Sequence, residues 1–298
     1  MDNESSSEQW WRRVWTEPLF KSAVGIIALL AVVVILLTVL NNIGEISFDF
    51  MATHWTFLFR YAIVSLEATV ISYLVGFGLG IPMGLVRTFG PDTIRRGGLK
   101  GALAAPVYAV VTGYGEVIRG TPALVQILLI QFWVTSTFQG IGGVSFWAGI
   151  IALSINTTGY QTEVFRAGFQ SVGQGQIEAA KSIGMRPAQT FTSITLPQGL
   201  RLITLPLANE WIALFKASSL LWLIAVQELL WGMDYLGTKL NRPVDGFILG
   251  AFVYLAILIP LSRAVTFLER SKRIPGLGVA EPQRRATFGP RFARRYRA

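Results

Sequence analysis

The chain contains no cysteine and a single histidine, His54. Disulfides, thiolate nucleophiles and Cys/His metal sites are therefore excluded, and a histidine-based triad has too little to build on. His54 stands in a polar connection between two apolar runs and reads as an interfacial residue without a chemical role. Charge is also scarce, at 14% of 298 residues, whereas 52% are hydrophobic and the mean hydropathy is +0.50. Soluble domains carry about 25% charged residues, so lipid is the solvent implied for most of this chain. No GxxxxGK[ST] string occurs, so a phosphate-binding loop of that type must come from another chain. GFGLGIPMG (76–84) has neither the spacing nor the strand context of a dinucleotide fingerprint. No nucleophile–base pair or metal cluster stands out, which argues against an enzyme.

What charge there is lies unevenly. Residues 270–298 carry nine Lys+Arg against one acid, Glu281, which leaves little of the net +9 for the remainder. This tail, rich in Gly and Pro and without an apolar helical period, reads as a disordered cytoplasmic segment against anionic lipid rather than a nucleic-acid binder.

Six apolar stretches read as transmembrane helices: 23–40, 61–86, 122–138, 145–165, 202–227 and 246–268. The first is too long for a signal-peptide core and is read as retained. Basic clusters at Arg12/Arg13/Lys21, Arg87/Arg95/Arg96/Lys100, Arg166/Lys181/Arg186/Arg201 and Arg270/Lys272/Arg273 all fall on one side. The positive-inside rule then places both termini in the cytoplasm. Residues 99–118 are expected as an amphipathic helix on or near the inner face, with a dip into the membrane as the alternative. Trp222 and Trp231 suit the outer interface.

Charged groups at membrane depth cost several kcal/mol unless paired or hydrated. Glu67, Glu163, Glu210 and Lys216 are such groups, while Glu228 is expected at the interface. Glu163 and Arg166 are three apart and can pair; Glu210 and Lys216 share no face and need partners on other helices. Gly76, Gly80 and Gly84 form two overlapping GxxxG patterns, which point to close helix packing.

The most informative segment is a polar insert, Gln170 to Arg201. Glu178-Ala179-Ala180 sits on a short helix, Gly184 offers a turn with positive φ, Pro187 starts a second helix and Pro197 is expected to end it. Two short helices with small residues on one surface form a plug for a groove on another protein; a solvated loop is the plainer alternative.

The insert resembles the EAA loop of bacterial ABC importer permeases through Glu178, Ala179, Ala180, Gly184, Ile194, Leu196 and Pro197. The flanks GYGEVIRGTPALVQ (113–126), TTGYQTEVFRAGFQSVGQGQIEAA (157–180) and LPQGLRLITLPLANEWIALFKASSL (196–220) are similar to the polar amino-acid permeases of the histidine/glutamine/arginine group. The resemblance covers roughly residues 58–270. It implies an all-α type I importer transmembrane domain of about six helices. It divides the chain into an N-terminal segment with an extra span (1–56), a permease core (57–270) with its coupling loop at 173–200, and the basic tail (271–298).

By the same resemblance, Gly175, Glu178, Ala179, Ala180, Gly184, Leu196 and Pro197 dock on a separate cytoplasmic ATPase that uses ATP-Mg, this chain binding no cofactor itself. A second permease, an extracytoplasmic substrate-binding protein, an amino-acid substrate and membrane lipid complete the expected partners, with no nucleic acid. Arg119-Gly120-Thr121-Pro122 is a structural motif of the group. Glu67, Gln126, Glu163, Asn209 and Lys216 are the expected substrate path, Lys216 for a carboxylate and Glu67 or Glu163 for an amino group. Two departures stand out. Ala217 replaces the acid usual after the lysine, and Thr158-Gly159-Tyr160 replaces a small residue-Ala-Tyr. A stand-alone ion-coupled transporter is the alternative, although it has no need of the plug.

Overall fold

The computed structural model describes the backbone of residues 18–271, with side chains from 30 to 267 and at Ile27. The basic tail and the N-terminal arginines lie outside the described residues. All regular structure among the described residues is helical. Helix α1 (Pro18–Asn42) exposes Ile27, Val32 and Ile35, as a lipid-facing span does. Helix α2 (Phe48–Arg96) runs unbroken for 49 residues through Pro82 and Pro91, about 73 Å at 1.5 Å per residue. It starts well before the expected span because Ser47 Oγ accepts from Phe50 N (3.3 Å) and Asn41 Oδ1 from Phe48 N (3.2 Å), with Asp49 in the first turn. His54 therefore lies within α2, not in a connection. Its ring stacks on Phe50 and its Nδ1 is 2.8 Å from Phe50 O.

For residues 99–118 the surface-helix expectation gives way to its membrane alternative. Helix α3 (Gly98–Gly120) is long and apolar enough to cross a membrane. Its C-terminal end sits against mid-span residues of helix α5 (Val144–Gln170): Tyr114 Oη donates to Ile155 O (2.6 Å), and Ile118 fills the space at Gly159. The chain breaks at extended Thr121 (φ −116, ψ 144) and resumes as α4 (Ala123–Thr137). Gly, Ala and Val dominate α3, which gives it a moderate hydropathy that a surface helix could share.

After α5 come α6 (Gln174–Ser182), α7 (Pro187–Thr190), a π-turn (Phe191–Thr195) and α8 (Leu196–Ala217). A 3₁₀ turn (Ser218–Ile224), α9 (Leu229–Lys239) and α10 (Pro243–Ser271) complete the order. Pro197 does not end a helix, contrary to expectation. It stands where the π-turn passes into α8, and the wider turn carries the backbone past its missing N–H.

Two compact units share these helices. The first gathers the described residues up to Ala68 with Gln131–Gly149 and Ala217–Ala256. Here Asp245, fully buried, accepts from Ser47 N (2.7 Å) and pairs with Arg242 (3.4 Å). Glu228, expected at the interface, is completely buried within the protein. It caps α9, accepting from Leu230 N and Trp231 N (both 3.0 Å) and from Ser65 Oγ (3.2 Å). Burial pushes its carboxyl up to about 7, against the pull of these donors. Trp231 stacks on Tyr235 and lies tilted against Tyr61, an aromatic group suited to an interface.

The second unit holds Thr69–Ile130, Ile150–Lys216 and the described residues from Ile257. Its centre is the crossing of α2 on α5. A Cβ at Gly76 would lie 2.5 Å from Thr157 Cγ2, and one at Gly84 2.6 Å from Phe165 Cβ. The GxxxG reading therefore holds, because α5 lies where side chains would be. Helix α5 is polar on its buried faces, with Ser154, Thr157, Thr158, Gln161 and Thr162 all buried. An apolar cluster of Phe165, Phe169, Ile203 and Leu207 closes the inner end.

Candidate functional site

The insert is built as two capped helices on an aromatic anchor. Helix α6 ends in a Schellman motif: Gly184 N donates to Lys181 O and Met185 N to Ala180 O, both at 3.0 Å. Gly184 takes φ +81 with open space around it, so the turn requires its conformational freedom rather than its size. Helix α7 begins with Pro187 in its first turn, and Gln189 Oε1 accepts from Arg186 N (2.9 Å). Phe191 then packs edge-on against Phe89 and Phe169, with ring centroids 5.3 and 5.6 Å away. Held there, the insert presents Gly175, Glu178, Ala179 and Lys181 to the outside.

The two alanines do not share a surface, as a plug of small residues would require. Ala180 is buried and Ala179 exposed, because adjacent helical positions differ by 100°. Leu196 and Pro197 are half-buried at the start of α8. Sequence reasoning passed over Ile183. It is 79% exposed at the end of α6, and the available signal was a large apolar residue directly before the turn glycine.

The second unit also contains an ion cluster. Glu163 pairs with Arg166 one turn along α5, with Arg87 of α2 (3.5 Å) and with Arg119 of α3 (4.0 Å). The expected Glu163–Arg166 pair is present, and two further arginines join it from separate helices. Arg119 and Glu163 line a cavity of about 560 Å³ together with Tyr160, Ser171, Pro206 and Glu210. Glu210 accepts from Thr157 Oγ1 of α5 (3.3 Å), which meets its need for a partner on another helix. Asn209 and Lys216 are exposed on α8, and Glu67 is exposed on α2.

Gln126 is buried and fully engaged. Its Nε2 donates to Ile118 O (2.8 Å) and to Thr121 Oγ1 (2.8 Å) and O (3.2 Å), while its Oε1 accepts from Asn156 Nδ2 (2.9 Å). That amide bridges the break between α3 and α4 and leaves little for a substrate. The Arg119–Pro122 motif is the break itself: Arg119 Nε donates to Gly115 O (3.1 Å), Thr121 Oγ1 to Val117 O (2.8 Å), and Pro122 O accepts from Val125 N (3.0 Å).

Residues 97–274 match the family described as binding-protein-dependent transport system inner membrane component. The chain belongs to that family. It is thus a multi-pass inner-membrane transport component. Among curated permeases, the probable glutamine ABC transporter permease protein GlnM of Bacillus subtilis (strain 168) is 32% identical over 69% of this chain and 88% of that protein. The nopaline transport system permease protein NocM of Agrobacterium fabrum is 32% identical over 69% of this chain and 83% of its own length. A crystal structure of an amino acid ABC transporter with histidines superposes with a TM-score of 0.67 at 30% identity, covering 76% of this chain and 99% of that one. The fold is accordingly that of type I ABC importer transmembrane domains.

Proposed function

We propose that this chain is the membrane subunit of an ATP-driven importer of polar or charged amino acids. It pairs with a second permease, identical or not, and receives substrate from an extracytoplasmic binding protein. A separate cytoplasmic ATPase binds and hydrolyses ATP-Mg and grips the insert at 173–200; residues 57–270 form the transport core and the basic tail lies against inner-leaflet lipid. The observation that carries this reading is the insert: two capped helices pinned by Phe191, with Gly175, Glu178, Ala179 and Ile183 facing outward. The amino-acid substrate follows from the permeases named above. Glu163, Asn209 and Lys216 are assigned to the path, Lys216 receiving a carboxylate, while Gln126 serves as a strut.

The test is a pull-down from detergent-solubilised membranes with mass identification of partners, read against Gly184→Asp. An ATPase subunit retained by the wild type and lost by the variant supports the proposal. Recovery of the chain alone, competent for gradient-driven uptake in vesicles without ATP, would establish a stand-alone transporter instead.

A further inference from the structure

The apolar run of α2 ends at Val86, yet the helix continues to Arg96. Ten further residues of helix are about 15 Å long, whereas the headgroup layer of one leaflet is about 5–8 Å thick. The end of α2 therefore clears the bilayer. Helix α3 returns beside this extension. Gly97 and Gly98 make the turn at φ +69 and +67. A Cβ on Gly101 would lie 3.1 Å from Ile94 O, and Tyr108 fills the space at Gly90. Residues 98–107 of α3 thus stand next to the part of α2 that lies beyond its apolar run.

The tip so formed has the composition of a contact surface. Leu99 is 78% exposed; among the large hydrophobic side chains of the described residues only Ile183 of the insert, at 79%, is more so. Leu103 follows one turn on at 63%. Beyond the headgroups such a pair faces water, where adjoining exposed apolar side chains mark an interaction site. Arg95, Arg96 and Lys100 are exposed around Leu99, against one exposed acid, Asp92. The three cations make no side-chain hydrogen bond or ion pair among the described residues. An apolar centre ringed by unpaired cations fits a partner surface that is apolar within and acidic at its rim.

The tip is also joined to the insert. Phe89, seven residues before Arg96, packs edge-on against Phe191 with ring centroids 5.3 Å apart, and both segments belong to the second unit. Seven residues of helix are about 10 Å, well within the reach of a protein large enough to hold a two-helix insert. We infer that the α2–α3 tip is a second docking surface for the cytoplasmic ATPase that grips the insert, with Leu99 as the apolar contact and Arg95, Arg96 and Lys100 pairing with carboxylates of that subunit. Two separate contacts fix the orientation of a rigid partner, which one short helix alone does not. The inference rests on the permease reading and adds a contact to it.

The experiment uses the full chain with its co-purifying ATPase in nanodiscs of neutral phosphatidylcholine, where lipid charge cannot act. ATPase retention on size exclusion is followed as the complex is diluted. Leu99→Asp should move the dilution midpoint roughly tenfold toward higher concentration, at an unchanged melting temperature. Arg95→Glu combined with Arg96→Glu should do the same and flatten the salt dependence of retention; this pair decides the matter if Leu99→Asp melts early. Retention like that of the wild type in both variants overturns the tip as a docking surface. If uptake by those variants then falls only in vesicles containing phosphatidylglycerol, the tip is a contact for anionic lipid instead. An ATPase held equally by the wild type and both variants strikes the tip alone, whereas no ATPase held by the wild type at any dilution strikes the permease reading itself.

Discussion

Gly84 and Gly184 stand in two regions that use small residues for opposite reasons. At Gly84 the backbone is ordinary helix and the space is gone: a Cβ there would meet Phe165 Cβ at 2.6 Å. At Gly184 the space is open and the backbone is special, with φ +81 and nothing within 4 Å. The seam of α2 on α5 is thus closed against its own chain, and the insert is left open to another. Substitutions in the first should cost folding; substitutions in the second should cost function with folding largely kept.

The largest effect is expected at the seam. Gly84→Leu must displace α5 at Phe165, Thr162 O and Arg166 N. Overpacking of this kind costs about 1–3 kcal/mol when neighbours can move and more when they are backbone. The variant should be recovered in much reduced yield, with an early melting transition in detergent. A normal melting curve would show that the seam opens readily and would break the comparison at its first term.

Gly184→Asp comes next. The left-handed conformation costs a non-glycine residue about 1–2 kcal/mol, spread over a surface turn. Insertion and the melting curve should be close to wild type, while ATP-driven uptake falls to background. Normal coupled uptake by a well-expressed variant would sink the assignment of the insert as the coupling element. Ile183→Asp sharpens the same point without touching the backbone. The side chain is 79% exposed, so stability should shift by less than about 0.5 kcal/mol. Loss of the co-purifying ATPase at unchanged melting temperature is the expected result; full retention would place the docking surface elsewhere on the insert.

The two regions were not equally legible in the sequence. Four-residue glycine spacing on an apolar run and the Gly-then-Pro punctuation of the insert are local signals, and both led to the observed geometry. The depth of α3 was hidden because Ala, Gly and Val suit a surface helix as well as a span; its contacts at Ile155 and Gly159 depend on another helix. The burial of Glu228 was hidden because its hydroxyl partner, Ser65, lies 163 residues away in sequence. Gln126 looked free for substrate because the break it bridges is made by a partner helix and a Thr-Pro pair. In each of these cases the deciding contact is tertiary, so residue type showed a need for a partner without showing which.

The smallest and sharpest test lies in adjacent alanines of the insert. Ala180 is 2% exposed, and Ala179 beside it is exposed. Ala180→Leu should behave as a mild version of the seam, forcing α6 off its support at about 1–3 kcal/mol of local cost, with earlier proteolysis of the insert and reduced uptake together. Ala179→Leu should leave proteolysis unchanged and lower uptake only through its fit to the ATPase. A partial fall in uptake, with normal proteolysis, would show that the outward face is a fitted surface. If both leucines acted alike, the insert would be one loosely packed loop, and the distinction between a face closed on its own chain and a face open to a partner would hold only at the seam.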